Sequence, residues 1–248
     1  MQKYKAVIDY DGTNYCGMQK QKFVKNSIQE VLENAISKFA NQNIKIDYSG
    51  RTDTGVHSLG QVIHFTLPEE RNERNVLLGI NFYLHEEDII VKKVEKVDTD
   101  FHARFSAKTR CYLYRVLNRK MNSPLLKNRV YHYIYDVDIE KMQEVANFLC
   151  GKKMDFSSFC NVESAKNVNT MKTINKITID RIGEEIHFYF EAKSFLHNMI
   201  RIMVGLLLEV GRGRIDKQGV EKILQQKRRS SKYTTAPACG LYFLETKY

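Results

Sequence analysis

Apolar and polar positions alternate from Lys3 to Tyr10, with Tyr4, Ala6 and Ile8 on one side and Lys5, Val7 and Asp9 on the other. A period of two is that of a strand, and Asp11-Gly12 supplies turn chemistry at its end. A polar, Gly-containing loop is expected from there to Asn26. Ile28, Val31, Leu32, Ala35, Ile36 and Phe39 then recur at helical spacing, with Asn26 or Ser27 as the cap and Glu30 placed for a capping box. Ile44 to Tyr48 reads as a short strand, Gly50 to Ser58 as a loop, and Gln61 to Leu67 as a strand. Val76 to Leu84 reads as a helix and Ile89 to Val97 as a strand. The order β-α-β-β-α-β is the split ferredoxin-like arrangement.

The remainder repeats the pattern. Tyr112 to Leu117 is strand-like, and Ile139 to Leu149 is helical with Asp136 or Asp138 near its start. Ile174 to Arg181 and Ile186 to Ala192 form a hairpin around Gly183-Glu184. A long helix is expected over Phe195 to Val210, another over Gln218 to Gln226, and a closing strand over Leu241 to Leu244. The expected fold is therefore α+β: two similar ferredoxin-like halves with antiparallel sheets, joined near residues 100–110 and forming a central cleft. The halves are taken as 1–106 and 107–248.

Composition narrows the class. The chain has 248 residues, 43% of them hydrophobic, with 14 Tyr and 13 Phe, which argues against disorder. Only 3 Pro and 13 Gly exclude collagen-like or linker-rich chains. The formal charge of +10 favours an anionic partner, nucleic acid before a membrane surface. The excess is uneven: 14 Lys+Arg face 15 Asp+Glu in residues 1–105, against 25 and 14 in residues 106–248. The partner is therefore expected mainly against the second half. Cys16, Cys111, Cys150, Cys160 and Cys239 are odd in number and form no C-x-x-C, so reduced thiols in a cytoplasmic protein are expected. The start, Met1-Gln2-Lys3-Tyr4-Lys5, has no apolar core of a signal peptide. The most apolar run, Phe195 to Val210, holds His197, Arg201 and Glu209 and is shorter than the ~20 residues of a span, so no membrane is expected.

Three segments carry candidate chemistry. In Gly50-Arg51-Thr52-Asp53-Thr54-Gly55-Val56-His57 two glycines bracket an Arg, an Asp and two hydroxyls. An arginine beside a carboxylate favours the anion, and such an Asp can attack, or stabilise positive charge at, a sugar C1′. The alternative is an Asp and an Arg that brace a turn. In Asp100 to Tyr114, Arg104, Lys108 and Arg110 are interleaved with Phe105, Tyr112 and Tyr114, a pattern that can hold phosphates and stack on a base. Alternation puts Arg110, Tyr112 and Tyr114 on one side of a strand, which is also an ordinary half-buried aromatic row. The third is Arg201 within an apolar helix, which needs a partner or must snorkel; Asp53 is a candidate partner. The run Lys227-Arg228-Arg229-Ser230-Ser231-Lys232 reads as the solvated tail of a helix, or as a phosphate contact.

Other chemistries lack their residues. His85-Glu86-Glu87 fits the H-x-E of zinc base deaminases, but no P-C-x-x-C follows. There is no H-E-x-x-H, no phosphate-binding G-x-x-x-x-G-K-[ST], and Gly211-Arg212-Gly213-Arg214 lacks the third glycine of a dinucleotide site. Neither a metal nor another cofactor is expected.

Taken in order, several segments resemble the tRNA pseudouridine synthase A (TruA) family. They are Asp9 to Tyr15, Gly17 to Gln21, Gly50 to Asp53, Gly55 to His57, Gly60 to Val62, Asp100 to Ala107, Phe195 to Gly205, Ala236 to Ala238 and Gly240 to Tyr242. Met18 stands where that family usually has Trp, and Thr54 where it usually has Ala. The resemblance implies the pseudouridine synthase fold. It also implies a cofactor-free isomerase, usually a homodimer, that converts uridine to pseudouridine at positions 38–40 of the tRNA anticodon stem-loop. Asp53 matches the catalytic aspartate, Tyr112 the tyrosine that stacks on the target base, and Arg201 the arginine that pairs with the aspartate. Arg51 helps gate the flipped base. The expected partner is tRNA, not DNA. The carboxylate can attack C1′ or assist glycal formation by taking a sugar proton, and the residues do not choose between these. A non-catalytic RNA-binding or RNA-chaperone protein is the competing reading.

Overall fold

The computed structural model describes residues 1–21, 26–160 and 168–248. The end of the expected polar loop, residues 22–25, lies outside them. The described chain divides into two compact units, Met1–Arg110 with Tyr242–Tyr248, and Cys111–Leu241.

In the first unit the order is β1 (Gln2–Tyr10), α1 (Ile28–Ala40), β2 (Asp47–Tyr48), β3 (His57–Leu67), α2 (Glu73–Tyr83) and β4 (Ile89–Val97). This is the split arrangement expected from periodicity. The sheet runs β4-β1-β3, antiparallel throughout, with Ala6 opposite both Ile63 and Val94. The even positions of β1 (Tyr4, Ala6, Ile8 and Tyr10) are buried against Ile28, Leu32 and Ile36 of α1 and Val76 and Ile80 of α2. Two short partners divide the outer edge of β3. Asp47 of β2 pairs antiparallel with His64, and Tyr242 of the terminal strand β10 (Leu241–Lys247) pairs in parallel with His57. That parallel pairing returns residues 242–248 to the first unit, so the two units do not divide at 106/107 as the pattern suggested.

The start of α1 is built as expected. The Ser27 hydroxyl accepts from the Glu30 amide at 3.2 Å, while the Glu30 carboxylate accepts from the Asn26 amide, one residue before the cap. A cap satisfies a backbone donor that the helix leaves open. Ser27→Ala is therefore expected to lower stability by about 1 kcal/mol, read as a lower urea midpoint with unchanged slope. An unchanged midpoint would contradict it. β2 is shorter than expected because α1 takes its backbone donors. Ser37 Oγ accepts from Ile44 N at 2.9 Å, and the buried Glu33 accepts from Ile46 N at 3.4 Å.

The second unit receives β5 (Thr109–Leu117), which carries the chain over from the first, and adds β6 (Tyr131–His132), α3 (Ile139–Phe148), β7 (Lys153–Asp155), β8 (Met171–Ile182), β9 (Glu185–Ala192), α4 (Met199–Gly211) and α5 (Lys217–Gln225). Its sheet runs β5-β9-β8-β7, with β6 parallel to β5. The β8–β9 hairpin turns at Gly183-Glu184, where Gly183 has φ +60°. Asp138 caps α3 by accepting from Lys141 N at 3.1 Å. The helix expected from Phe195 begins only at Met199, because Asn198 is left-handed at φ 61°. An apolar run such as Phe195-Leu196 carries no signal for that turn. Apart from Arg201 and Glu209, the α4 side chains are buried on all sides. No helix among the described residues is long and apolar enough to cross a membrane.

Candidate active site

Asp53 sits half-buried in the loop between β2 and β3, and side chains anchor the residues around it. The Gln61 amide donates to Gly50 O at 2.8 Å, and Ser49 Oγ donates to Gln61 Oε1 at 2.5 Å. Tyr10 and Thr52 share a hydroxyl–hydroxyl hydrogen bond at 2.8 Å, and Met18 N donates to Thr52 O at 3.1 Å. Val56 N closes a turn onto Asp53 O at 3.1 Å, and Gly55 takes φ +77°. The segment beneath must be glycine at two places. A Cβ on Gly12 would stand 2.0 Å from Val56 O, and one on Gly17 would stand 2.6 Å from Thr52 O. His57 is buried at the start of β3. Its Nδ1 accepts from Gly12 N at 3.0 Å, and its ring stacks on Tyr242 with centroids 4.8 Å apart.

Burial pushes the Tyr10 hydroxyl up to about 12, against the hydrogen bonds to Thr52 and Gln61. It is a fixed phenol, not an acid or base near neutrality. Burial also raises the Tyr48 hydroxyl, opposed by the charge and hydrogen bond of Arg51. Arg51 is exposed and reaches back to Tyr48 on β2. Met18 is fully buried in the core of the first unit, so the position where Trp is usual in the resembled family is an interior packing site in this chain.

Arg110 departs from expectation. The sequence pattern groups it with Arg104 and Lys108 as a phosphate-binding cation, yet it is 9% exposed. Its Nε donates to Ser49 O and its Nη2 to Arg104 O, each at 2.8 Å. It braces the front of the Asp53 loop. Arg104 and Lys108 are exposed.

In the second unit Arg201 is half-buried on α4 and clamps a passing strand of chain. Its Nε donates to Ala236 O at 2.8 Å, its Nη1 to Asn198 Oδ1 at 2.8 Å, and its own carbonyl accepts from Ala236 N at 3.1 Å. The left-handed Asn198 thus places its amide oxygen against the guanidinium. Tyr112 is buried on β5, edge-to-face with Phe195 at 5.3 Å. Tyr114 donates to Pro237 O at 2.7 Å, and burial holds its hydroxyl well above the usual tyrosine range. The basic run after α5 is partly held: Arg229 lies over the Tyr233 ring at 4.3 Å and donates to Tyr233 O at 3.0 Å, while Arg228 and Lys232 are exposed.

Asp47, His64 and His102 are the set of possible metal ligands among the described residues, with ligand atoms within 4.8 Å of one another. The hydrogen bonding argues against an ion. His64 Nδ1 accepts from Ala103 N and His102 Nδ1 accepts from Arg104 N, each at 3.2 Å. Each neutral ring therefore carries its proton on Nε2, the atom a metal would need bare. The pair anchors the Ala103-Arg104 loop instead. Burial lowers the His64 pKa, with the Asp47 charge opposing. A histidine with a lowered folded pKa contributes stability above its unfolded value of 6.5 and loses it as pH falls below that. Melting temperature is expected to drop between pH 7 and 5 less steeply in His64→Asn, whose amide oxygen replaces Nδ1 without titrating. Equal slopes would contradict this.

The chain matches a family model described as tRNA pseudouridine synthase over residues 6–106 and 145–248. It is 42% identical over 246 residues to a protein of Ehrlichia canis (strain Jake) named tRNA pseudouridine synthase A, covering 99% of this chain and 100% of that protein. The same name, identity and coverage hold for a protein of Wolbachia pipientis wMel. A protein of that name from Anaplasma marginale (strain Florida) is 38% identical over 247 residues, with 99% and 100% coverage.

Proposed function

The chain belongs to the tRNA pseudouridine synthase family, and on that premise we propose that it isomerises uridine to pseudouridine at positions 38–40 of the tRNA anticodon stem-loop, with Asp53 as nucleophile and no cofactor. The observation that carries the reading is the Asp53 loop itself. It is a single carboxylate whose flanking residues are pinned by Tyr10, Gln61, Met18 and Arg110. A loop that only turned the chain would not need that many buried polar anchors.

The carboxylate attacks C1′, and the N1–C1′ electron pair leaves with the uracil. The base turns, C5 bonds to C1′ as the carboxylate departs, and the C5 proton passes to solvent through a base. Tyr112, in its edge-to-face pair with Phe195, offers an aromatic wall to the uracil. Arg201, rigid through Asn198 and Ala236, supplies a fixed positive charge. Arg51, exposed on the loop, contacts the flipped nucleotide. A paired base must leave its stack to react, which costs a few kcal/mol. Contacts from the 25 Lys+Arg of residues 106–248 to tRNA phosphates offset part of this, so binding weakens as salt rises. The chain acts as a homodimer in the cytoplasm. Pseudouridine mapped across total tRNA from cells with and without this protein tests the site. Loss confined to positions 38–40 is expected, and an unchanged map or a loss elsewhere would overturn it.

A further inference from the structure

We propose that Tyr10, with Gln61, is a positioning residue of the reaction, holding the Asp53 carboxylate in its attacking geometry through Thr52 and Gly50. The proposal rests on the role given to Asp53 above. The β1–β3 register breaks between Ile8 and Tyr10: Ile8 faces Gln61 while Tyr10 faces Ser58. The extra residue lies on β3, so β1 keeps its alternation and Tyr10 stays on the buried face with Ile8. Ser58 Oγ holds the extra residue by accepting from Gly60 N at 3.1 Å and Gln61 N at 2.8 Å. The Tyr10 hydroxyl meets Thr52 Oγ1 at 2.8 Å, while the Gln61 side chain grips Gly50 O and accepts from Ser49 Oγ.

All the members are interior groups. Tyr10 is 3% exposed, Gln61 0%, Ser49 1% and Thr52 8%. Apolar residues of the same shape would fill that space at less desolvation cost, so packing alone does not account for a hydroxyl and an amide here. A fully satisfied buried network instead fixes one geometry. Thr52 is held by its side chain from Tyr10 and by its carbonyl from Met18 N, one peptide bond before Asp53. A displacement of about 1 Å at a reacting group can cost about 10²-fold in rate. The network is therefore expected to act on turnover more than on tRNA binding.

The test compares Tyr10→Phe, Thr52→Val, their double variant, Thr52→Ser and Asp53→Asn on an unmodified tRNA transcript, at a temperature where melting shows each to be folded. Tyr10→Phe and Thr52→Val are each expected to lower kcat by about tenfold or more with KM within about twofold. The double variant is expected to be no slower than either single one, because both remove the same bond. Thr52→Ser, which keeps the hydroxyl, retains wild-type kcat. A Tyr10→Phe kcat within twofold of wild type, multiplicative losses in the double variant, or a Thr52→Ser as slow as Thr52→Val would overturn the positioning role. If Asp53→Asn turns over normally, the reading of Asp53 fails and takes this inference with it. If Asp53→Asn is inactive while Tyr10→Phe is normal, only the inference fails.

Discussion

Asp53→Asn is expected to cut pseudouridine formation by at least about 10³-fold while leaving melting temperature and tRNA affinity near wild type, since loss of a nucleophile commonly costs that much or more. The substitution conserves shape, so the contacts that build the loop persist. Tyr10 still reaches Thr52, Gln61 still reaches Gly50, and Val56 N still reaches Asp53 O. What is lost is the anion that bonds to C1′. A neutral amide oxygen is a poor nucleophile and does not stabilise positive charge at the sugar. Turnover and melting curves on the same preparation separate the two effects. A parallel fall in stability and activity would mean that Asp53 braces a turn.

Gly205→Ala is expected to destabilise the protein by about 1–3 kcal/mol, the usual cost of forcing extra volume into a packed interior. Helix propensity alone predicts the opposite, because Gly inside a helix is worse than Ala by roughly 0.5–1 kcal/mol. The difference lies in the neighbour. A Cβ at position 205 would stand 2.0 Å from Thr234 O, a backbone atom that cannot swing aside. The chain must shift at 234–236, the segment whose Ala236 carbonyl and amide hold Arg201. Turnover is therefore expected to fall further than the folded fraction accounts for. Urea unfolding with a raised midpoint would show that the helix preference wins and that the 234–236 crossing yields freely.

Much of the architecture is legible in local pattern, and the departures share a cause. β4 occupies the Ile89–Val97 span read from alternation, and the caps Ser27 and Asp138 are where polar residues precede helical periods. These features depend on neighbours in sequence. β2 is short because side chains of α1 capture its amides, and β10 joins β3 from the far end of the chain. Neither is written in the segment itself. The same holds at the site. Asp53 stands out as a carboxylate between glycines, whereas Tyr10 looks like one more core residue of an alternating strand. Its role shows only once the fold brings its hydroxyl to Thr52. Arg110 reads as a cation among aromatics, but the carbonyls of Ser49 and Arg104 claim it. Buried polar anchors carry the composition of a strand and the geometry of a site, and composition alone cannot separate them.

This chain is expected to break and remake a glycosidic bond and not only to hold tRNA. Release of tritium from C5-labelled uridine in an unmodified anticodon stem-loop tests it most directly, because C5 loses its hydrogen only when the base is rejoined through carbon. One tritium released per pseudouridine formed is expected, with multiple turnovers and no added metal or cofactor. Tight, salt-sensitive binding of the same tRNA without any tritium release would contradict it and identify an RNA-binding protein instead.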